Sequence, residues 1–181
     1  MQGTHEYAAD PRNAEILIDI NGTHYRRSEA KISVFDSGFI LGDGVWEGLR
    51  VEENTVLFLE RHLDRLFEGM KTLDFQPDFD RDQLSARIYR LLSANGMRHG
   101  VHVRLMVTRG VKSTPYQDPR MTITPPTVVI IPEYKEALPE TVERGVRLFT
   151  VHVRRGYSDV QDPTLNTHSK LNCIGACIKA A

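Results

Sequence analysis

Between Val45 and Leu73 the apolar pattern changes from strand-like alternation to a helical stripe, and this change limits what the chain can fold into. In "VWEGLRV", Trp46 and Arg50 alternate with Val45 and Leu49, so positions 46, 48 and 50 share one face of a strand. "TVLFLE" reads as a second strand, joined to the first by a turn at Glu52-Glu53-Asn54. "ERHLDRLFEGMKTL" follows as a helix whose buried stripe is Leu63, Leu66, Phe67 and Met70. A strand pair leading directly into an amphipathic helix implies a sheet with helices packed on it, a mixed α/β (α+β) fold.

The rest of the chain extends this pattern. "AEILIDINGTHYRR" places Asn21-Gly22 between two extended runs, a strong hairpin signal. A second helix is expected from about Asp82 to Ala94, with Leu84, Ile88, Leu91 and Leu92 inward and Gly96 as its stop. "VHVRLMVTRG" and the apolar "TVVIIPEY" read as strands, the latter central in its sheet. "ALPETVERG" reads as a turn region and "VRLFTVHVRR" as a further strand. From Ser169 a last helix is expected, with Ile174, Cys177, Ile178 and Ala181 on one face. The first dozen residues read as a loose arm. Val-His-Val-Arg occurs at 101–104 and at 151–154, but the flanks differ and no repeat follows. Composition shifts across Pro115–Pro126, which puts a domain boundary near residue 135: an N-terminal α/β domain over 1–135 and the start of a second domain over 136–181.

Charge and hydropathy narrow the function. The 181 residues carry a formal net charge of −1, which gives no electrostatic case for binding nucleic acid or an anionic membrane. No apolar run approaches the ~20 residues of a membrane span, and the N-terminus lacks a signal-peptide layout, so a cytoplasmic protein is expected. Cys173 and Cys177, four apart, are expected as reduced core residues; they lack the further ligands of a metal site, and no metal is expected.

Four positions invite chemistry, each with a plainer alternative. Lys170 opens an apolar helix, at the positive end of the dipole. Burial there would lower its pKa and supply the neutral amine that attacks carbonyls. The alternative is a solvated surface lysine. Arg65 stands three residues after His62 and four before Gly69, on a rigid helix from which a guanidinium can grip a phosphate. The alternative is an exposed pair with Glu68 or Asp64. "LGDGVWEGLR" fits neither the Walker nor the dinucleotide glycine pattern. It reads as a loop leading into a strand, with small residues where another backbone or a ligand comes close. Arg104, inside an apolar strand, must lie at an edge, be paired, or face a cavity that takes an anionic carboxylate.

Taken in order, "FDSGFILGDGVWEGLRV", "ERHLDRL", "VRLMVTRG" and "THSKLNCIGACI" resemble the segments of class IV pyridoxal-phosphate aminotransferases. That family includes branched-chain aminotransferases, D-amino-acid transaminases and aminodeoxychorismate lyase. The resemblance runs from about Ile16 to the end of the chain and implies a two-domain fold-type IV enzyme using pyridoxal 5′-phosphate. It implies Lys170 as Schiff-base lysine and proton shuttle, Arg65 on the cofactor phosphate, and Trp46, Gly48, Arg50 and Arg104 around the substrate. The implied partners are an amino acid, branched-chain-like, a 2-oxo acid, and a second copy of the chain in a homodimer.

The chain departs from the family in several places. Leu41 and His102 stand where branched-chain enzymes usually carry tyrosine, and Thr114 and Tyr116 where D-amino-acid enzymes carry Arg and His. Asn172 follows Lys170 by two residues, where the family spacing is three or more. Family members are much longer, so the chain is expected to be a truncated N-terminal portion. A lyase of the same fold, or a non-catalytic binding or assembly domain, are the alternative expectations.

Overall fold

The computed structural model describes residues 10–136, 139–157, 159 and 161–180. Its centre is a six-stranded, wholly antiparallel sheet in the order β2-β1-β6-β5-β3-β4. The strands are β1 (Leu17–Ile20), β2 (Thr23–Arg26), β3 (Gly44–Glu52), β4 (Thr55–Val56), β5 (Val101–Thr108) and β6 (Thr127–Tyr134). Among the described residues five α-helices accompany them: α1 (Ser37–Leu41), α2 (Leu59–Thr72), α3 (Arg81–Ala94), α4 (Pro139–Arg144) and α5 (Leu171–Ala180).

The expected β1–β2 hairpin forms, with Asn21 at φ 52° and Gly22 at φ 86° in its turn. These left-handed angles match the strand twist of a tight hairpin and explain the Asn-Gly pair. Asn21 also makes a long-range bond: its side-chain oxygen accepts from the Val128 amide at 2.7 Å, tying the turn to β6.

The sheet has one covered face. Along β3 the odd positions Val45, Glu47, Leu49 and Val51 are buried, and the even ones from Trp46 to Glu52 are half-buried. β5 repeats this with Val101, Val103, Leu105 and Val107. Against the covered face lie α2, through Leu63, Leu66 and Met70, and α3, through Leu84, Ile88, Leu91 and Leu92. Phe67, expected in the buried stripe, is only partly buried and sits edge-on to Phe79, with ring centres 6.1 Å apart. Asp80 and Gln83 close a reciprocal cap on α3, with both hydrogen bonds at 2.8 Å.

The opposite face of the sheet is left half-open. Antiparallel register puts Gly48 opposite Arg104, Trp46 opposite Met106, and Arg50 opposite His102, so these side chains share the open face.

Several expectations are corrected. The region before β3 is not all loop: α1 forms because Asp36 caps it through the Gly38 amide at 2.9 Å and Gly42, at φ 68°, ends it. "TVLFLE" is a strand only at Thr55–Val56, because Phe58 turns left-handed at φ 53° and α2 begins at Leu59. "ALPETVERG" contains α4, whose first helical residue is a proline, a position where the missing N–H costs nothing. Residues 146–155 form no strand; among the described residues no segment pairs with them, and extended backbone without a ladder has no sheet bonds to hold it. Leu148 is accordingly 89% exposed. Cys173 and Cys177 are exposed free thiols rather than core residues: α5 has no buried residue and leaves Ile174 53% and Ile178 68% exposed. Of the expected arm, residues 1–9 lie outside the described residues. Asn13 is buried, donating to the Tyr134 carbonyl at 2.9 Å and accepting from its amide at 2.8 Å. Ala181 also lies outside the described residues.

Candidate active site

The sequence around Lys170 reaches the open face by an edge pairing. β4 covers only the far end of β3, at Val51 and Glu52, leaving the Gly44–Trp46 edge free. Residues 166–168 fill that edge. The Trp46 amide donates to the Asn166 carbonyl at 2.9 Å, and the His168 amide donates to the Gly44 carbonyl at 2.9 Å. Val45 and Thr167 form an antiparallel bridge. Side chains add to the backbone bonds. Trp46 Nε1 donates to the Thr167 carbonyl at 3.1 Å, and Asn166 Nδ2 donates to the Trp46 carbonyl at 2.6 Å. No periodicity marks so short a segment, so its register is not legible in the sequence.

Lys170 follows directly. Its carbonyl accepts from the Ile174 amide at 2.9 Å, the first bond of α5, so the lysine caps the positive end of a ten-residue helix. Nζ donates to Asn166 Oδ1 at 3.0 Å and lies 5.4 Å from the Trp46 ring centre. The amine's pKa is held below the ordinary lysine value. Desolvation is the main cause; Cys173 opposes it, while Arg155, Arg104 and Arg65 add to it by charge repulsion. Lys170 borders a cleft of about 300 Å³ that Arg155, Gln161, Asp162 and Asn172 also line. A larger cleft, about 590 Å³, lies away from it between α3 and β6; there Arg87 and Arg90 are offset by Asp78 and by Asp19, which pairs with Arg87.

Arg104 stacks on Trp46, its guanidinium carbon 3.9 Å from the ring centre. It has no carboxylate within salt-bridge distance among the described residues. Burial lowers its pKa, only partly countered by Glu133. A desolvated guanidinium held flat on an indole is prepared to receive an anion. Gly48 leaves room beside it: a Cβ there would stand 3.1 Å from His102 Nε2 and 3.5 Å from Trp46 Cζ3. Arg50, at the end of the same face, is engaged by Glu52 at 2.6 Å and by the Lys135 carbonyl.

Arg65 takes neither Glu68 nor Asp64 as partner. Its Nε and Nη2 donate to the two oxygens of Glu47, at 2.6 and 2.5 Å, and His62 Nδ1 lies 2.8 Å from the same carboxylate. Glu47 is wholly buried on β3, whereas the Arg65 side chain is 54% exposed. Among the described residues Nη1 has no hydrogen-bond partner, so an outward edge of the guanidinium stays open. Arg65 does not line the Lys170 cleft; the link between them is electrostatic. Sequence alone does not single out Glu47, because a carboxylate at an inward strand position can be recognised as a partner only once α2 is docked on β3.

The model of the family Amino-transferase class IV matches residues 44–181. "Branched-chain-amino-acid aminotransferase-like protein 1" of Arabidopsis thaliana is 36% identical over 170 residues, covering 94% of this chain and 30% of that protein. The T.th. branched-chain amino acid aminotransferase complexed with N-(5′-phosphopyridoxyl)-L-glutamate superposes with a TM-score of 0.79 at 24% identity, over 91% of this chain and 54% of that one. The 4-amino-4-deoxychorismate lyase of Pseudomonas aeruginosa superposes with a TM-score of 0.71 at 30% identity, over 90% and 56%. The chain therefore spans about a third to a little over half the length of these relatives. With a profile match across most of its length and the matching fold, the chain belongs to the class IV aminotransferases.

Proposed function

We propose that this chain carries the reactive amine and one anion-binding side of a pyridoxal 5′-phosphate aminotransferase site. The activity we assign is transfer of an amino group from a branched-chain-like amino acid to a 2-oxo acid. The carrying observation is Lys170: a partly buried amine of lowered pKa, beside Trp46 and near Arg104 on the open sheet face. The residues fit the cofactor. A desolvated amine suits its aldehyde, and the open edge of Arg65 suits its phosphate. When bound, the cofactor supplies an electron sink for the substrate's Cα.

The chain's own residues do the rest. Lys170 would hold the cofactor through its aldehyde, and its neutral amine would take up at Nζ the proton released from the substrate's Cα. Arg104 receives the substrate carboxylate, and Trp46 and Gly48 shape the space beside it. Arg50 fixes the end of that wall. We place a domain boundary near residue 135, supported by the last ladder residue at Tyr134. We also infer a homodimer, supported by exposed Val34, Phe35 and Phe39 in one segment.

Incubation with pyridoxal phosphate, borohydride reduction and peptide mapping tests the reading. It requires a pyridoxyl mass on Lys170, absent from Lys170→Ala. Label spread over other lysines would sink it. The likeness to the Pseudomonas aeruginosa lyase favours one second reading, a carbon–carbon lyase, which would release pyruvate without a 2-oxo acceptor.

A further inference from the structure

His168 and two glycines form a packed joint that the reaction itself does not require. A Cβ built on Gly44 would meet His168 Cε1 and Nδ1 at 2.7 Å, and one on Gly38 would meet His168 Nδ1 at 3.1 Å and Thr108 Cγ2 at 2.4 Å. The imidazole thus lies against both glycine backbones, one in α1 and one at the start of β3. Its Nε2 is 3.2 Å from the Val45 carbonyl, which can only accept, so Nε2 carries the proton. The other parts of the joint are themselves fixed. Asp36, buried at the head of α1, accepts from Thr108 Oγ1 at 2.9 Å, and the Ser37 amide donates to the Gly110 carbonyl at 2.9 Å. α1 is therefore tied to the end of β5, and the histidine ring is held between α1 and β3.

We propose that His168 is the positioning residue for Lys170: its ring, wedged between Gly38 and Gly44, locks residues 166–168 onto the edge of β3 and so fixes where the lysine amine meets the open face. This rests on the reading of Lys170 as the reactive amine. Only Ser169 separates His168 from Lys170, so a slip of the segment carries Lys170 away from Trp46 and Arg104. It also gives Gly38 and Gly44 a role. At Gly44 the histidine ring and the Val107 carbonyl occupy the space a side chain would fill, and at Gly38 Thr108 does so first, with the ring beside it.

The chain contains one tryptophan, Trp46, whose indole N–H bonds this same segment, so its fluorescence reports docking. Emission and acrylamide quenching are measured on the full chain as wild type, His168→Ala and His168→Gln. In parallel, peptide-resolved amine labelling across pH gives the titration midpoint of Lys170. In His168→Ala the emission should shift red, quenching should rise, and the Lys170 midpoint should move up toward the ordinary lysine range as the amine loses its desolvated setting. His168→Gln, which keeps an amide donor for the Val45 carbonyl, should stay near wild type in both. A folded His168→Ala with unchanged tryptophan signal and unchanged midpoint overturns the proposal.

Should His168→Ala not fold, His168→Asn replaces it, with a side chain too short to fill the space between the two glycines or to reach the Val45 carbonyl. Asn must then move the midpoint up while Gln does not, and equal behaviour overturns the proposal. Shifts present without pyridoxyl trapping on Lys170 would refute the functional reading alone. Trapping without shifts would refute the positioning role alone.

Discussion

Arg65 and Glu47 face each other where α2 packs on β3, with two hydrogen bonds of 2.6 and 2.5 Å between guanidinium and carboxylate. The pair is asymmetric: Glu47 is fully buried and Arg65 is 54% exposed. Removing one partner therefore differs from removing the other. Arg65→Ala strands a buried carboxylate with only His62 beside it, costing on the order of 3 kcal/mol. Glu47→Gln leaves Arg65 to water and a neutral amide inside, costing about 1 kcal/mol. Urea unfolding of both variants should show this order, and equal losses would contradict it. Arg65→Ala thus weakens the fold as well as any phosphate contact, so cofactor affinity is better compared in Arg65→Lys.

Lys170 feels the cations around it, and that repulsion can be removed selectively. Arg104 and Arg65 both lower the Lys170 pKa, after desolvation as the main cause. Arg104→Gln deletes one cation, favours the ammonium form, and should raise the Lys170 labelling midpoint. An unreactive branched carboxylate bound to wild type should move the midpoint the same way by neutralising Arg104. A carboxylate effect that persists undiminished in Arg104→Gln would exclude Arg104 as its receptor.

Asn21 joins a local conformation to a long-range bond. Asn21→Ala forces an alanine to φ 52° and removes the acceptor for the Val128 amide. Together these should cost roughly 2 kcal/mol. Asn21→Gly keeps the turn and loses only the bond, and should cost about 1 kcal/mol. Equal denaturation midpoints for the two variants would show that the turn conformation carries no strain.

These three sites also show what sequence can reveal. The Asn21-Gly22 turn and the stripes of α2 and α3 are local patterns, and each was legible because neighbours along the chain decide it. The Lys170 environment was legible in part, since a lysine at a helix start is a local fact, and the class IV resemblance singled it out. Glu47 beneath Arg65 and the 166–168 edge pairing were not, because each joins segments far apart in sequence. The strand expected at 146–155 failed for the same reason: alternation describes a segment, whereas a strand also needs a neighbour.

Acid should weaken the fold through two histidines. His168 and His102 both have pKa values below the ordinary imidazole value of 6.5, mainly because burial disfavours the imidazolium. At His168, Asp36, Asp43 and the Val45 carbonyl oppose the shift and Arg104 adds to it. At His102, Lys135, Arg104 and Arg50 add to it and Glu133 opposes it. The sign follows from linkage: below pH 6.5 the unfolded chain takes protons that the folded chain resists, so stability is full above that pH and falls as pH drops toward the folded values. Unfolding free energy measured from about pH 8 to about pH 5 should decline mainly below pH 6.5, and His168→Gln should flatten part of the decline. A flat wild-type profile over that range would contradict the neutral, half-buried state of both rings.

The exposed apolar segment before β3 leads to the last expectation. Val34 is 68% and Phe39 69% exposed, with Ile32, Phe35 and Leu41 also exposed nearby. Single exposed apolar residues need no explanation, but five within ten positions make a surface that water disfavours. A second copy covering it would bury apolar area worth roughly 25 cal/mol per Å² before the costs of association. Light scattering should therefore give a dimer mass at micromolar concentration. Phe39→Asp combined with Val34→Asp should shift the chain to monomer without lowering its unfolding free energy by more than about 1 kcal/mol, because both positions lie outside the core. α1 also carries Gly38, against which His168 packs, so a second copy docked on this segment would meet the lysine segment on one short helix. A monomer already in the wild type would remove this segment as the dimer contact. A dimer that survives both aspartates would place the interface elsewhere.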